Sequence, residues 1–276
     1  MASQADKAAA FQALHRRAGA FIIPNPWDAG SAKILGSFGF EALATTSAGF
    51  AFALGRPDAE GAIGRDETLA NARAIIAATD LPVSADLENG FGDAPDACAE
   101  TIRAAAAVGL AGGSIEDATG RADVPIYGFD AAVRRVQAAA NAARALPHPF
   151  VLTARAENFL CNRPDLDDTI RRLQAYAEAG ADVLYAPGLT AREDIEAVVR
   201  GVAPKPINVI MGLAGASLSL TELAALGVKR VSVGSALARA ALGALTRAAQ
   251  EMKTSGTFEF AADAAPYRTL NRLFQK

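Results

Sequence analysis

Eight short apolar segments recur along the sequence, and each is followed by a turn and then by a longer Ala- and Leu-rich segment with helical periodicity. The predicted strands cover residues 21–25, 42–47, 82–88, 112–117, 150–156, 183–188, 207–211 and 230–234. The predicted helices lie near residues 29–38, 66–79, 94–108, 129–145, 166–179, 191–200, 219–226 and 236–251. Strands that alternate with helices in this way form parallel sheets. Eight consecutive units predict a closed (β/α)₈ barrel, the TIM-barrel class of α/β fold.

Glycine marks the ends of several predicted helices. A glycine stands between a helix and the next strand at Gly39, Gly109, Gly180 and Gly227. A left-handed residue at this position turns the chain back toward the sheet. The main alternative is an open doubly wound sheet, but the G-x-G-x-x-G motif of that fold does not follow the first strand. We therefore predict one domain over residues 1–276, with residues 252–276 as a C-terminal helical extension.

Composition and charge exclude several classes of protein. Apolar residues make up 51% of the chain and charged residues 21%, with a net charge of −3, as in a globular protein with a large core. Basic residues occur singly or in pairs, which argues against a nucleic-acid partner. The first residues lack the apolar core of a secretory signal, and no apolar run reaches the roughly 18 residues of a membrane span. We expect a cytoplasmic protein without a nucleic-acid or membrane partner.

The positions of histidine, lysine and cysteine exclude several mechanisms. His15 falls in a predicted N-terminal helix, and His148 precedes the fifth strand, so Ser-His-Asp catalysis has no suitable base. None of the six lysines stands at a strand carboxyl end, which disfavours a Schiff base. The isolated thiols of Cys98 and Cys161 support neither a disulfide framework nor a zinc site. Cys98 lies in a helical pattern typical of core packing.

Acidic side chains cluster where the third, fourth and fifth predicted strands end. Asp86 and Glu88 are two residues apart, so strand alternation predicts that both point to the same face. Glu116 ends the fourth strand, and Arg155 and Glu157 end the fifth with the same two-residue spacing. Active sites of (β/α)₈ barrels lie at the carboxyl ends of the strands. We therefore expect these side chains to form the site.

Two interpretations of this acidic cluster stay open. Inward-facing acids repel each other, and a bound cation relieves the repulsion. Oxygen ligands without histidine or thiolate favour Mg²⁺ or Mn²⁺. In the other interpretation no metal binds, Asp86 caps a turn and Glu116 pairs with Arg155.

A phosphate site is a further alternative. Glycine-containing turns follow the seventh and eighth predicted strands, where many barrels bind phosphate. The candidate residues are Gly212, Gly234 and Ser235. Their glycines are equally compatible with ordinary turns.

Several motifs occur in collinear order between about residue 20 and residue 250. They are Asn25-Pro26-Trp27-Asp28-Ala29, Thr45-Thr46-Ser47-Ala48-Gly49, Leu54-Gly55-Arg56-Pro57-Asp58, Asp86-Leu87-Glu88-Asn89-Gly90-Phe91-Gly92, Ile115-Glu116-Asp117 and Thr153-Ala154-Arg155. Together they resemble the isocitrate lyase/phosphoenolpyruvate mutase superfamily.

The resemblance implies a fold, an assembly and a ligand set. Members fold as (β/α)₈ barrels and commonly exchange the eighth helix between subunits, which implies a homodimer or homotetramer. The resemblance implies that Asp86 binds Mg²⁺ directly and that further carboxylates act largely through water; these are Asp58, Glu88 and Glu116. It implies that Arg155 and the amides of Ser47 and Ala48 hold the substrate. Gly90, in the same motif as Asp86, is included among the expected substrate-binding residues.

The sequence departs from the lyases of this superfamily in two places. Those lyases carry a catalytic cysteine in the segment after the fourth strand, and here Asp117 leads into a segment without cysteine. After the sixth strand, Pro187 stands where relatives have Glu or His. Lyase chemistry through that thiol is therefore not expected. Thr119 is the one residue that echoes the corresponding segment of the phosphoenolpyruvate mutases.

These observations lead to a functional expectation with alternatives. We expect a Mg²⁺-dependent enzyme that acts on a small 2-oxo acid or on a dicarboxylate precursor through an enolate, as an oxaloacetate-type decarboxylase or a carbon–carbon lyase. Glu157, Tyr185 and Tyr127 are candidate bases for a retro-aldol step, and Arg155 is expected to neutralise substrate oxygens. The alternatives are carbon–phosphorus chemistry, as in phosphoenolpyruvate mutase or phosphonopyruvate hydrolase, and 2-oxo-acid binding without turnover.

Overall fold

The computed structural model describes residues 2–58 and 61–275 of the chain. Eight strands are present: β1 Phe21–Ile23, β2 Leu43–Ala44, β3 Val83–Asp86, β4 Gly112–Glu116, β5 Val151–Arg155, β6 Val183–Tyr185, β7 Ile207–Ile210 and β8 Arg230–Ser232. The described α-helices are α1 Gln4–Arg16, α2 Ala29–Gly36, α3 Ser47–Ala53, α4 Arg65–Ala77, α5 Pro95–Ala107, α6 Phe129–Arg144, α7 Leu166–Ala179, α8 Arg192–Val202, α9 Leu220–Ala225, α10 Ala236–Thr254 and α11 Tyr267–Phe274. A 3₁₀ helix covers Glu259–Asp263.

The eight strands form one parallel sheet that curls into a barrel. Their order is β1, β8, β7, β6, β5, β4, β3, β2, and every neighbouring pair is parallel. The two ends of this sheet meet where the Ala44 amide donates to the Pro24 carbonyl at 3.1 Å. Helices lie between successive strands, so the predicted (β/α)₈ barrel is confirmed.

Most predicted strands extend too far at their carboxyl ends. The predicted strand 82–88 stops at Asp86, and the predicted strand 42–47 stops at Ala44. Helix α3, which the sequence reading missed, begins at Ser47 and is capped by the Thr46 hydroxyl. Its seven residues are too few for an amphipathic period to show in the sequence.

Helix α1 closes the amino-terminal end of the barrel. Phe11 and His15 lie on its buried face, and the His15 ring packs edge-on between Phe11 and Phe21. Burial and the nearby charge of Arg230 lower the pKa of His15 to about 3, so the imidazole is neutral. His15 is therefore a packing residue at the end of the barrel opposite the expected site.

The helix that follows β8 is largely exposed. Of the described residues of α10, only Ala238 and Ala248 are buried. It packs on α3 near Gly49, where an added Cβ would lie 3.3 Å from Ala238. Leu245 is 62% exposed. No helix in the described part of the chain is both long and apolar enough to cross a membrane.

Candidate active site

Arg155, the last residue of β5, joins three carboxylates at the carboxyl ends of the strands. Its guanidinium lies 2.8 Å from Asp86, 3.1 Å from Glu116 and 2.7 Å from Glu157. The four side chains are between 4% and 17% exposed, so these ion pairs are shielded from water. The three acids raise the pKa of Arg155 although burial opposes this, and the arginine is a permanent cation.

Asp86 is held in one orientation by hydrogen bonds from α3, β4 and β5. One carboxylate oxygen accepts from the Ser47 amide at 3.3 Å and from the Ser47 hydroxyl at 2.9 Å. The other accepts from Arg155 and, at 3.5 Å, from Ser114. Burial alone would raise the pKa of Asp86, but Arg155 and Ser47 outweigh burial and lower it. Asp86 is therefore an ionised carboxylate.

Glu88 reaches the cluster by a different route from the one predicted. Strand β3 ends at Asp86, and Glu88 has a φ of 47°, so strand alternation does not place its side chain and that argument was wrong. Burial and repulsion from Asp86 and Asp58 raise the pKa of Glu88 to about 7. Such repulsion places Glu88 and Asp58 in the same electrostatic neighbourhood as Asp86.

Negative charge is in excess at this end of the barrel. Burial raises the pKa of Glu116 and of Glu157, and neighbouring acids add to the shift although Arg155 opposes it. Arg155 balances one of several carboxylates, so the donor set and its charge fit a hard divalent cation. Within residues 2–58 and 61–275, no three His, Cys, Asp or Glu side chains converge closely enough to hold a metal ion by themselves. Ligation through water therefore fits these residues better than a ring of direct ligands.

Two cavities adjoin the cluster. The smaller, of about 200 Å³, is lined by Ser47, Ala48, Asp58, Asp86, Arg155 and Tyr185. Tyr185 lies under Arg155, whose guanidinium is 5.3 Å from the ring centroid. The larger, of about 610 Å³, has Glu88 and Glu116 among its lining residues.

Gly90 does not itself line either cavity. An added Cβ would lie 2.9 Å from the Cys98 sulfur, and the Gly90 carbonyl accepts from Thr101 on α5. With a φ of 80°, Gly90 makes the turn after β3 and packs against α5. The structure thus does not bring Gly90 to the other expected substrate-binding residues.

The glycine turns after β7 and β8 are used for internal contacts. The amides of Val233 and Gly234 both donate to the Asn25 side chain at 2.9 Å. Gly212 has a φ of 84°, and an added Cβ would lie 2.8 Å from Ala236. These contacts account for the glycines as turn residues and weaken the phosphate-site alternative.

Asp117 connects the strand ends that carry the site to the helix behind them, a role that the sequence reading missed. It is buried and accepts hydrogen bonds from the Glu157 amide at 2.8 Å, from the Tyr176 hydroxyl at 2.6 Å and from Arg172 at 3.1 Å. These contacts tie the ends of β4 and β5 to α7. An acid directly after Glu116, in the same motif, was the available signal.

A second polar network lies deeper in the barrel and was also missed. The guanidinium of Arg230 donates to Asn208 at 2.8 Å and to Thr153 at 3.0 Å, and it lies 3.5 Å from His15. Asn208 in turn donates to the Ser232 hydroxyl at 2.9 Å. Polar residues at alternate positions inside otherwise apolar strands were the signal for this network.

Comparisons with known proteins identify the family of this chain. The sequence model of phosphoenolpyruvate phosphomutase matches residues 11–253, a span that includes all eight strands and every acid of the cluster. The chain belongs to the phosphoenolpyruvate mutase family. Membership extends to the wider isocitrate lyase/phosphoenolpyruvate mutase superfamily, as the sequence motifs indicated.

Relatives within this superfamily include lyases and mutases. A Burkholderia cenocepacia structure described in general terms as a lyase/mutase is 65% identical, with a TM-score of 0.96 over 99% of this chain and 97% of that one. The 2,3-dimethylmalate lyase of Eubacterium barkeri is 30% identical over 75% of this chain and 72% of its own. Oxaloacetate acetylhydrolase, solved with its product oxalate, is 26% identical, with a TM-score of 0.86 over 98% of this chain and 93% of that one.

Proposed function

We propose that this chain is a Mg²⁺-dependent enzyme that acts on a small 2-oxo acid, or on a precursor that yields one, by breaking a carbon–carbon bond. The observation that carries the proposal is the buried excess of carboxylates around Arg155. Mn²⁺ has the same ligand preferences and would serve in place of Mg²⁺. The lyases among the relatives support this class of reaction.

Each residue of the cluster has a distinct role in the proposal. Asp86 would hold the ion directly, and Asp58, Glu88 and Glu116 would hold it through water. A divalent ion held by these residues would supply positive charge that polarises a 2-oxo carbonyl and stabilises the negative charge that develops when the bond beyond C3 breaks.

The substrate itself would be held by residues of the smaller cavity. Arg155 would neutralise the substrate oxygens, and the Ser47 and Ala48 amides would receive the carboxylate. Tyr185 and Glu157 both contact Arg155 and would fix its position. Burial raises the pKa of Tyr185, so its hydroxyl stays protonated and can donate to a substrate oxygen.

The loop after β4 favours carbon–carbon over carbon–phosphorus chemistry. The Thr119 hydroxyl donates to the Val124 carbonyl and accepts from the Arg121 amide at 3.0 Å. The one residue that echoed the mutase segment is therefore used inside the loop. Carbon–phosphorus chemistry and binding without turnover remain the alternatives, and product analysis separates them.

Removal of the Asp86 carboxylate tests the proposal directly. In calorimetry with oxalate, Asp86→Ala should abolish Mg²⁺-dependent binding, while the exposed loop variant Asp123→Ala should bind as the parent does. The far-ultraviolet circular dichroism of both variants should match that of the parent protein. Unchanged oxalate binding by Asp86→Ala would refute the metal assignment.

A panel of 2-oxo acids, 2-hydroxy dicarboxylates and phosphonates, followed by NMR with Mg²⁺, then identifies the bond that breaks. Carbon–carbon cleavage products support the proposal. Release of phosphate or rearrangement of a phosphonate would favour the alternative activity. Binding without any product would identify a binding protein.

We further propose a homodimer or homotetramer in which α10 packs against another subunit. The support is the exposure of apolar side chains along this helix, which include Leu242, Leu245 and Met252. Light scattering should give a mass at least twice that of one chain. Leu245→Glu should lower this mass, whereas Arg247→Glu, on the same helix, should lower it less.

A further inference from the structure

The larger cavity begins at the carboxylate cluster and extends along the loop that follows β4. Glu88 and Glu116 line it together with Ala118, Thr119 and Gly120. Its volume of about 610 Å³ lies within the usual range for sites that enclose a whole ligand. A three- or four-carbon 2-oxo acid held at Arg155, in the smaller cavity, leaves most of this space unfilled. The site thus has room for a group beyond C3.

Much of the wall of this cavity is apolar. Ile63, Phe91, Ala118, Ala122 and Pro125 line it from three different loops. Ile63 is only 5% exposed, and Phe91 packs against the hydrophobic core. Contact of alkyl or aryl carbon with such walls makes the free energy of binding more favourable, whereas apolar side chains offer no hydrogen bond to a carboxylate.

The charges in this cavity oppose an anionic group. Among the described residues that line it, the charged side chains are Glu88, Glu116 and Arg121. The one cation of the three, Arg121, lies 2.8 Å from Asp93 in an ion pair at the surface. Glu88 and Glu116 are assigned to the ion in the proposed function, so the charged side chain left for a second substrate carboxylate, among these three, is an arginine that already has an acidic partner.

We propose that the substrate carries an uncharged, apolar group beyond C3 that occupies the larger cavity. The chain then selects 2-oxo acids with alkyl or aryl tails over dicarboxylates. This inference rests on the proposed function and narrows its substrate class. In a 4-hydroxy-2-oxo acid with such a tail, the C3–C4 bond breaks and its electron pair goes to C3. The hydroxyl proton reaches C3 through solvent water, and the products are pyruvate and an uncharged aldehyde.

Calorimetry on the intact protein with Mg²⁺ tests the selection, with pyruvate, 2-oxohexanoate and 2-oxoglutarate as probes. We expect 2-oxohexanoate to bind about tenfold more tightly than 2-oxoglutarate, a compound of similar size with a second charge. Equal binding, or tighter binding of 2-oxoglutarate, would overturn the inference alone if pyruvate binds in a Mg²⁺-dependent way. If none of the three acids binds, the proposed function falls and this inference falls with it.

Two matched substitutions locate the tail. Ala118→Phe fills the larger cavity and should weaken 2-oxohexanoate binding about tenfold, with pyruvate binding changed less than about twofold. Val124→Phe, at an exposed position of the same loop, should change neither. Retained pyruvate binding shows that Ala118→Phe is folded. Ala122→Phe is a second variant that fills the cavity, at a position where the residue itself is exposed. Unchanged 2-oxohexanoate binding in both filling variants would place the tail elsewhere.

A third substitution tests whether the arginine of the cavity binds a carboxylate. Arg121→Gln should change 2-oxoglutarate affinity by less than about twofold, because Asp93 already occupies the guanidinium. A tenfold loss would show that Arg121 receives a second substrate carboxylate, and the inference would be wrong.

Discussion

Arg155 and Arg230 are both buried arginines of the barrel interior, yet their surroundings are opposite. Arg155 contacts three carboxylates, whereas Arg230 contacts an amide, a hydroxyl and an imidazole. No carboxylate lies within ion-pair distance of Arg230 in the described part of the chain. The pKa of Arg155 is raised by its acids, and the pKa of Arg230 is lowered by burial to about 10.

The difference separates the layer around Arg155, which we propose as the reactive layer of the barrel, from a supporting layer around Arg230. Around Arg155 the anions outnumber the cation, so the charge balance leaves room for a metal ion and a substrate. Around Arg230 every contact is neutral, and the guanidinium serves to join β5, β7 and β8 to α1. Buried charge alone therefore does not identify a functional residue; the sign of the uncompensated charge does.

The largest expected effect comes from the removal of the reactive-layer arginine. Arg155→Met leaves Asp86, Glu116 and Glu157 without their shared partner, and breaking such a buried pair costs about 3–5 kcal/mol of stability. Oxalate binding with Mg²⁺, measured by calorimetry, should weaken about 100-fold or more. Arg192→Met, which breaks a surface ion pair with Glu222, should leave both quantities nearly unchanged. Retained oxalate binding in Arg155→Met would erase the distinction between the two layers.

A smaller effect is expected in the supporting layer. Arg230→Met leaves Asn208 and Thr153 short of a donor but strands no charge, so urea unfolding should show a loss of about 1–3 kcal/mol. Oxalate binding should stay within about threefold of the parent value. If Arg230→Met lost more stability than Arg155→Met, Arg230 and not the acidic cluster would make the larger contribution to the stability of the barrel interior.

The stability of the metal-free protein should fall with rising pH because of the reactive layer. In the metal-free protein the pKa of Glu88 is about 7, above its usual value, so the folded state binds more protons than the unfolded state between about pH 4.5 and 7. The contribution of Glu88 to the free energy of unfolding should therefore decrease across this window. Glu88→Gln should flatten the decrease in urea titrations at successive pH values. A decrease that is unchanged in Glu88→Gln would assign it to Glu116 and Glu157.

The supporting layer should give the smallest effect, with the opposite sign. The pKa of His15 is about 3, below its usual value, so the unfolded state binds more protons between about pH 3 and 6.5. Its contribution to stability should rise with pH across this window. Histidine NMR titration should show the His15 ring neutral down to about pH 4. Titration near pH 6.5 would mean that neither burial nor Arg230 acts on the ring.

The sequence was sufficient to locate the reactive layer but not to describe its geometry. Asp86 and Arg155 end their strands, and the sequence predicts them as site residues because active sites of (β/α)₈ barrels lie at the carboxyl ends of the strands. Glu88 was placed by strand alternation, and this failed because the strand stops at Asp86 and the backbone then adopts a left-handed conformation. Backbone conformation at a strand end depends on contacts such as that of Gly90 with α5, which no local pattern reveals.

The supporting layer could not be predicted from the sequence for a different reason. Thr153, Asn208 and Arg230 lie on three different strands, and no spacing along the sequence connects one strand to another. They meet because β5, β7 and β8 pack around one axis, and Arg230 is long enough to cross between them. A network of this kind becomes visible only once the barrel register is known.

Asn25 links the two ends of the barrel sheet. Its amide group donates to the Thr45 carbonyl at 3.0 Å, and its oxygen accepts from the Val233 and Gly234 amides, so one side chain spans β8, β1 and β2. Beside it, one backbone hydrogen bond from Ala44 to Pro24 holds the ends of the sheet together. Thr45, whose carbonyl Asn25 binds, lies two residues before Ser47, so any loosening of this link would pass directly to the Ser47 amide and hydroxyl that bind Asp86. The orientation of Asp86 therefore depends on a side chain that follows β1, at the other end of the sheet from β2.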